Sequence, residues 1–236
     1  MTELRVAAAV GEAFPALAVA AVVAGDLRGD TPWQETERLL AELETAAADG
    51  DWTPPAESDP GLASWHAAYR AFGTNPRRFR PSVDALCRRL GKSGRLPRIS
   101  PAVDTYNAVS VGHGLPAGAF DLAAVRGDVE LRFAGPGDTF TPLGEPDTTE
   151  EARTGEVVYA DAADVLTRHW NHRDSDRTKV TPASREVVFL LETVEPGTGR
   201  KVLDQAADQL AGLLAPHAAR VDTHLLTPDH PAVRLR

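Results

Sequence analysis

The sequence lacks several features that would assign it to common classes of protein. It has a single cysteine, Cys87, in 236 residues, which excludes an intramolecular disulfide and a zinc site built from cysteines. One cysteine also indicates a reducing compartment, so we expect a cytoplasmic protein. Cys87 lies among apolar neighbours in a helical pattern, which favours a core position over a nucleophile. No Gly-x-Ser-x-Gly elbow, phosphate-binding loop or dinucleotide fingerprint occurs either.

Long hydrophobic runs are also missing. No apolar run approaches the roughly 20 residues that a helix needs to cross a bilayer. Residues 5–24 begin with Arg5 and continue with an Ala- and Val-rich run, as a signal peptide does. Glu12 and Pro15 interrupt that run, and its start is not strongly basic. We therefore expect neither a secretory signal nor a membrane partner.

Positive charge is scarce overall but concentrated in one segment. The formal net charge is −9, which argues against a generic nucleic-acid binder, and we expect no DNA partner. Within residues 70–98, however, Asp84 is the only acidic residue, among these basic ones: Arg70, Arg77, Arg78, Arg80, Arg88, Arg89, Lys92, Arg95 and Arg98. Such a run is either a solvated face or a phosphate-binding face, and arginine geometry suits phosphate.

The remaining composition is typical of one globular domain, with 42% hydrophobic and 25% charged residues. Two Ala- and Val-rich runs predict strands, at 4–10 and 15–24. Apolar residues spaced by three and four predict helices at 31–48, 61–72, 81–90 and 200–214. From about residue 102 a period of two predicts strands near 106–112, 128–134, 156–160, 164–170 and 186–193. Residues 216–236 have no clean period and indicate a surface tail with one short strand at 221–226.

The most specific motif lies at residues 104–121, Asp-Thr-Tyr-Asn-Ala-Val-Ser-Val-Gly-His-Gly-Leu-Pro-Ala-Gly-Ala-Phe-Asp. It resembles the strand–turn–strand core of the editing (B3/B4) domain in the β subunit of bacterial phenylalanyl-tRNA synthetase. In that domain a Thr-Asn-Tyr strand precedes a Gly-Gln-Pro-Leu-His-Ala-Phe-Asp turn. Tyr106-Asn107 and the Leu115–Asp121 segment stand in the same order and spacing here.

The resemblance extends over about residues 10–215. It includes Gly127–Arg132 with Gly137-Asp138, Gly155–Asp161, Trp170–Thr178 and Val187–Glu192. It implies an α+β fold: a single B3/B4-type domain over 1–215, followed by a tail at 216–236. Antiparallel-rich sheets would have helices packed on one side.

The resemblance also implies a pocket between Asn107, Gly118 and the 171–178 loop. Asn107 matches the family's pocket asparagine, whose amide suits an amino acid or a ribose hydroxyl; alternatively it satisfies backbone groups at a strand end. The family's histidine falls on Gly118, which offers only a backbone N–H. That N–H could face a developing oxyanion, or Gly118 could be a plain turn residue.

The densest polar cluster, residues 171–178, resembles the region where the family has a glutamate that faces the substrate. Asp174 alone keeps that charge, and we expect it to recognise a substrate ammonium or to orient water. Asn171 and His172 would bind substrate beside it. The alternative is a solvated hairpin loop. His113, in a Gly-His-Gly turn, is either a replacement acid–base or an exposed turn residue.

We do not expect a metal or another cofactor. His169 and His172 are spaced such that in a strand they would point to opposite faces. Hydrolysis of an activated ester requires only a positioned water and oxyanion stabilisation.

The function that the resemblance implies is recognition of the aminoacyl end of tRNA, with hydrolysis of mischarged aminoacyl-tRNA in trans. The expected tRNA-binding residues are Arg77, Arg78, Arg80, Arg88, Arg89 and Lys92. No sign of an ATP-dependent ligase core is present, so aminoacylation itself is not expected. Two alternatives stay open: a non-catalytic amino-acid or RNA-binding module without the editing histidine, and a hydrolase of another small amino-acid ester or amide. The sequence does not indicate an oligomeric state.

Overall fold

Two stacked β-sheets and a layer of helices make up the structure, a computed structural model that describes residues 2–29 and 31–235. The helices are α1 (Ala8–Ala13), α2 (Gln34–Asp49), α3 (Pro60–Ala71), α4 (Ser82–Ser93), α5 (Pro101–His113) and α6 (Gly199–Leu214). The strands are β1 (Glu3–Val6), β2 (Ala18–Gly25), β3 (Ala117–Asp121), β4 (Val129–Phe133), β5 (Thr139–Phe140), β6 (Glu150–Glu151), β7 (Val157–Ala160), β8 (Val165–Arg168), β9 (Arg173–Asp174), β10 (Val187–Thr193), β11 (Arg220–Leu226) and β12 (Ala232–Arg234).

The smaller sheet has the strand order β11-β2-β10-β3, and all of its pairs are antiparallel. The larger sheet runs β12-β1-β4-β7-β8-β5-β6, with β9 paired to β8. Its pairs are antiparallel except β1–β4 and β5–β8. In the smaller sheet β3 is an edge strand, which leaves one side of its backbone open to the neighbouring loops.

Both faces of the smaller sheet are covered. Every residue of β2 and of β10 is buried, as expected for strands with apolar layers on both sides. One face contributes Val19, Val23, Val188 and Leu190 to a core shared with the larger sheet. The other face packs against α2, α5 and α6. The α+β prediction, with antiparallel-rich sheets and helices on one side, is therefore confirmed.

The predicted strand at 106–112 is wrong, because these residues belong to helix α5. The helix has a proline in its first turn and ends at Gly114, whose φ of 69° is left-handed. Every residue from Ala102 to Val111 is buried, since the helix packs against α2, α4, α6 and β3. A helix buried on all sides has no amphipathic period, so the sequence pattern could not distinguish it from a strand.

The N-terminal prediction is partly wrong. The run at 4–10 splits into the short strand β1 and helix α1, and the strand expected at 15–24 begins at Ala18. The first long helix begins at Gln34 rather than at Thr31. The other helices and the strands near 128–134, 156–160, 164–170 and 186–193 are found within a few residues of their expected positions.

The C-terminal residues contribute one strand to each sheet. The strand expected at 221–226 is present as β11, which pairs with β2 along its whole length. A second strand, β12, pairs with β1, and the side chains of Leu226 and Leu235 lie in the core between the sheets.

Among the described residues, none of the helices combines the length and apolar character that a bilayer span requires.

Candidate functional site

A small cavity lies at the edge of the space between the sheets, where β3, β8, β9 and β10 meet the start of α4. Its volume is about 50 Å³, which is enough for a small number of water molecules. Its lining residues are Ser82, Ala117, Gly118, Phe120, Tyr159, Thr167, Trp170, Asn171, His172, Asp174, Leu190 and Glu192. The lining therefore combines aromatic walls with two carboxylates.

Gly118 faces Asp174 across this cavity. A Cβ atom built on Gly118 would lie 3.8 Å from Asp174 Oδ1. That distance is an ordinary van der Waals contact, so a Cβ atom would fit at this position. The glycine leaves additional space in the cavity, although its backbone conformation does not require a glycine. The predicted meeting of Gly118 with the 171–178 loop is present in the fold.

The backbone N–H of Gly118 does not point into the cavity. Successive N–H groups of an antiparallel strand point to alternate sides. At the free edge of β3, Ala117 N–H donates to Ser82 Oγ at 3.3 Å and Asp121 N–H donates to the Thr178 carbonyl at 2.9 Å. Gly118 N–H therefore points to β10, where Leu190 is its ladder partner. The expectation that this N–H could face an oxyanion is therefore wrong, because the N–H points to strand β10.

Among the described residues, the carboxylate of Asp174 has a single hydrogen-bond donor. Its Oδ1 accepts one bond, from Thr167 Oγ1 at 3.0 Å. A carboxylate offers about four acceptor positions, so several remain for a ligand. Burial raises the pKa of Asp174 to about 6, against the lowering effect of the Thr167 hydroxyl.

Glu192 is the second carboxylate of the cavity, and the sequence analysis did not select it as a site residue. It is 2% exposed and accepts hydrogen bonds from Tyr159 Oη at 2.5 Å, Trp170 Nε1 at 2.8 Å and Asn171 Nδ2 at 2.9 Å. Burial raises its pKa to about 7, and the three donors oppose that rise. The sequence offered one indication, because Glu192 continues the apolar run of β10. A carboxylate that is buried in such a strand requires hydrogen-bond partners.

A strained turn brings Trp170 and Asn171 onto Glu192. His169 and Trp170 have positive φ values of 48° and 69°, which are uncommon for residues other than glycine and often mark functional sites. Tyr69 Oη donates to Asn171 Oδ1 at 2.8 Å, and this bond fixes the amide so that Nδ2 faces Glu192. The prediction that Asn171 lies in the pocket agrees with this placement.

His172 borders the cavity as a neutral imidazole. Its Nδ1–H donates to the carbonyl oxygen of Arg80 at 2.9 Å, so the lone pair is on Nε2. Burial lowers the pKa of His172, although the Arg80 carbonyl opposes the shift. The residue can therefore accept a proton or a hydrogen bond beside Asp174.

Two residues expected in the pocket lie elsewhere. Asn107 is buried within helix α5 and is not among the lining residues. His113 ends the same helix and its Nε2 lies 2.6 Å from Gln209 Oε1 on α6. The structure therefore brings Gly118 together with Asn171, His172 and Asp174, but not with Asn107 or His113. Within the described residues no group of three or more potential ligands could hold a metal ion.

Some arginines of the basic segment form ion pairs with carboxylates of the same chain. The ion pairs are Arg77 with Glu57 (3.0 Å), Arg80 with Asp84 (3.0 Å) and Arg88 with Asp84 (2.6 Å). Since Asp84 is 2% exposed, two of the expected RNA-binding arginines also anchor helix α4.

The remaining basic residues are exposed. Arg78 lies 5.1 Å from the ring centroid of Phe79. Arg89 and Lys92 stand on the outer side of α4. In the part of the chain that the structure describes, these three side chains have no ion pair, so their charge is available to a ligand.

The comparisons with known proteins agree with this architecture. The sequence pattern of the B3/4 domain matches residues 64–216. A phenylalanine–tRNA ligase beta subunit from Nocardia farcinica (strain IFM 10152) is 41% identical over 95 residues, 40% of this chain. Another, from Thermobifida fusca (strain YX), is 34% identical over 98 residues, 42% of this chain. In both cases the aligned part spans 11% of the relative's own length.

A solved structure is similar over most of the chain. It is an N-terminal fragment of the phenylalanyl-tRNA synthetase beta subunit from Pyrococcus horikoshii. The similarity has a TM-score of 0.46 and 16% identity, and covers 94% of this chain and 49% of that one.

Proposed function

This chain belongs to the B3/4 domain family, and from that membership we propose that it recognises the aminoacyl end of tRNA and hydrolyses mischarged aminoacyl-tRNA in trans. The match to the family covers residues 64–216, which include every residue that lines the cavity. Both curated relatives are named as subunits of a tRNA ligase. The cavity is therefore the place where we put the substrate ester, and the single cysteine favours action in the cytoplasm.

The observation that carries the proposal is the difference between the two carboxylates. Glu192 already accepts three hydrogen bonds, whereas Asp174 accepts one. Glu192 therefore positions the Asn171 and Trp170 side chains, and Asp174 is left to act on a ligand. Asp174 borders the open space at Gly118, and the neutral imidazole of His172 lines the same cavity.

Hydrolysis then needs one water held by Asp174 and His172. In the step that we propose, the water oxygen bonds to the ester carbonyl carbon while Asp174 or His172 Nε2 takes its proton. The bond from that carbon to the ribose oxygen breaks, and the proton passes to the leaving ribose hydroxyl. The products are the free amino acid and uncharged tRNA, and atoms balance without a cofactor.

A non-catalytic binding module is the second candidate, and one observation favours it. The family's histidine position is Gly118, so the cavity lacks an imidazole at that place. Under this alternative the same carboxylate would bind a free amino acid through its ammonium group.

A deacylation assay across a panel of correctly and incorrectly charged tRNAs tests the proposal. We expect release of the amino acid from at least one mischarged tRNA well above the spontaneous rate, with the cognate pair spared. If no charged tRNA is hydrolysed while free amino acids bind, the proposal is wrong and the binding module is right.

A further inference from the structure

A shallow groove lies on the surface near the cavity and is framed by residues 70 and 73–77. Its volume is about 590 Å³, within the roughly 300–1,000 Å³ that is usual for ligand sites. Its walls carry the guanidinium groups of Arg70 and Arg77 together with the Asn75 amide. We call this feature the 70–77 groove.

A third arginine is fixed at the edge of this groove. Arg153 donates to the Phe72 carbonyl at 2.9 Å and to Thr74 Oγ1 at 3.2 Å. A Cβ on Gly73 would lie 3.1 Å from Arg153 Nη1, and the φ of Gly73 is +77°. Only glycine suits both conditions. Gly73 therefore allows the Arg153 guanidinium to pack against the backbone of residues 72–74 at the groove.

The cations at the groove are mostly unpaired. Within residues 2–29 and 31–235, neither Arg70 nor Arg153 forms an ion pair, and both are exposed. Arg78, which follows Arg77 along the chain but does not line the groove, is also exposed and has no ion pair there. Arg77 differs, since it pairs with Glu57 at 3.0 Å. Exposed guanidinium groups without a carboxylate are well suited to bind phosphate oxygens.

The groove and the cavity share no lining residue, but contacts of residues 169–172 connect them. Thr74 Oγ1, in the groove wall, lies 3.0 Å from Nδ1 of His169, the residue that precedes Trp170 and Asn171. The ring of Phe79 packs 4.0 Å from His169 and 5.4 Å from the cavity residue His172, between ring centroids. The groove therefore contacts the same turn, residues 169–172, whose last three residues line the cavity.

We propose that the 70–77 groove binds the phosphates of a single-stranded RNA 3′ end, with Arg70 and Arg153 as the cations. This inference rests on the proposed function, because an ester on the terminal ribose brings the preceding phosphates to the surface beside the cavity. The Arg78–Phe79 pair adds an aromatic and guanidinium surface on which a base can stack. Two of the arginines that the sequence predicted to bind RNA, Arg80 and Arg88, are left out of this proposal, because they form ion pairs with Asp84.

Binding of uncharged tRNA, measured by fluorescence anisotropy at several salt concentrations, tests the groove. Arg70→Gln and Arg153→Gln should each weaken binding about tenfold, the effect of one charge-assisted bond. Each should also reduce the slope of log affinity against log salt by about 0.7, the value for one phosphate of a single strand. The control is Arg95→Gln, which removes an exposed charge away from the groove and should change neither quantity. Arg70 makes no side-chain hydrogen bond in the described structure, so its variant is expected to fold.

A second arm uses tRNA from which the single-stranded 3′ end has been removed. This RNA should bind the native protein more weakly, and Arg70→Gln should not weaken it further. The proposal is overturned if Arg95→Gln costs as much affinity as Arg70→Gln, or if the trimmed tRNA stays sensitive to Arg70→Gln. The first result would indicate a diffuse basic surface and the second an RNA contact outside the 3′ end.

These outcomes are independent of the deacylation result. Hydrolysis of a small aminoacyl ester without phosphates should be unaffected by Arg70→Gln, because the groove does not take part in the chemistry. If the native protein hydrolyses neither this ester nor charged tRNA, the proposed function fails while the binding measurements still decide the groove.

Discussion

At the scale of single residues, the two carboxylates of the cavity have different surroundings. Glu192 is enclosed by three donors, while Asp174 has one and borders the space at Gly118. The resemblance selected Gly118 and the polar cluster that contains Asn171, His172 and Asp174, and the fold brings them together. It did not select Glu192 as a site residue, because its partners, Tyr159 in β7 and the adjacent Trp170 and Asn171, come from other segments of the chain.

The raised pKa of Glu192 predicts a dependence of stability on pH. Below about pH 4.5 Glu192 is neutral in both the folded and the unfolded chain. Between about pH 4.5 and 7 the folded state keeps a proton that the unfolded state releases, so the free energy of unfolding falls as the pH rises. The shift corresponds to a loss of about 3 kcal/mol that is complete above pH 7.

Glu192→Gln should remove this loss. Urea unfolding at pH 4 and at pH 8 measures it, and the variant should gain about 3 kcal/mol relative to the native protein between the two pH values. If the free energies of unfolding of the two proteins differ by the same amount at every pH, the pKa of Glu192 is not raised by folding and the prediction is wrong.

The raised pKa of Asp174 predicts the pH profile of hydrolysis. If ionised Asp174 holds the water, the deacylation rate should fall about tenfold per pH unit below pH 6, the pKa of that carboxyl. Rates from pH 4.5 to 8, corrected for spontaneous hydrolysis, give the profile. A rate that is flat through pH 6 would exclude this carboxylate from the chemistry.

At the scale of elements, the sequence was informative where a segment has one buried face. Helix α6 and strand β4 follow their expected period, because one side of each segment packs on the core. Helix α5 has no such period, since its residues from Ala102 to Val111 are all buried. Short elements such as β5, β6 and β9 have two residues each, too few to form a periodic pattern.

Strand β3 offers a test of the cavity as the substrate site. Gly118→Ala places a methyl group 3.8 Å from Asp174 Oδ1, so the fold should be retained while space for the substrate shrinks. We expect KM for mischarged tRNA to rise severalfold with a melting temperature at least equal to that of the native protein. Steady-state kinetics and thermal unfolding measure both.

The matched control is Gly112→Ala, in helix α5, where an added Cβ meets no atom within 4 Å. It should leave KM unchanged. If both variants have the native KM, the space at Gly118 does not receive the substrate.

At the scale of the whole molecule, the α+β architecture could be predicted because the resemblance to the B3/B4 domain implies it. The role of the C-terminal residues could not, since β11 and β12 take their partners from β2 and β1 at the opposite end of the sequence. Pairing between segments so distant in sequence leaves no local pattern.

This pairing predicts that the C-terminal strands stabilise the fold. Leu226 is fully buried and lies in the core between the sheets, so Leu226→Ala should lower the free energy of unfolding by about 2–5 kcal/mol. Thr223→Ala, at an exposed position of the same strand, should change it by less than about 0.5 kcal/mol. Denaturant unfolding compares the two, and equal small effects would mean that these residues are a surface tail.

The most direct test of the proposed hydrolase is the rate at which Asp174→Asn deacylates a mischarged tRNA that the native protein hydrolyses. The substitution keeps the shape of the side chain and removes its charge, so turnover efficiency should fall roughly ten- to a hundredfold, the loss of one charge-assisted interaction. Asp176→Asn is the matched control, since Asp176 bonds to Gly144 N and Lys179 Nζ and does not line the cavity. We predict a large loss for Asp174→Asn and a native rate for Asp176→Asn; equal rates for the two variants would contradict the assignment of the site.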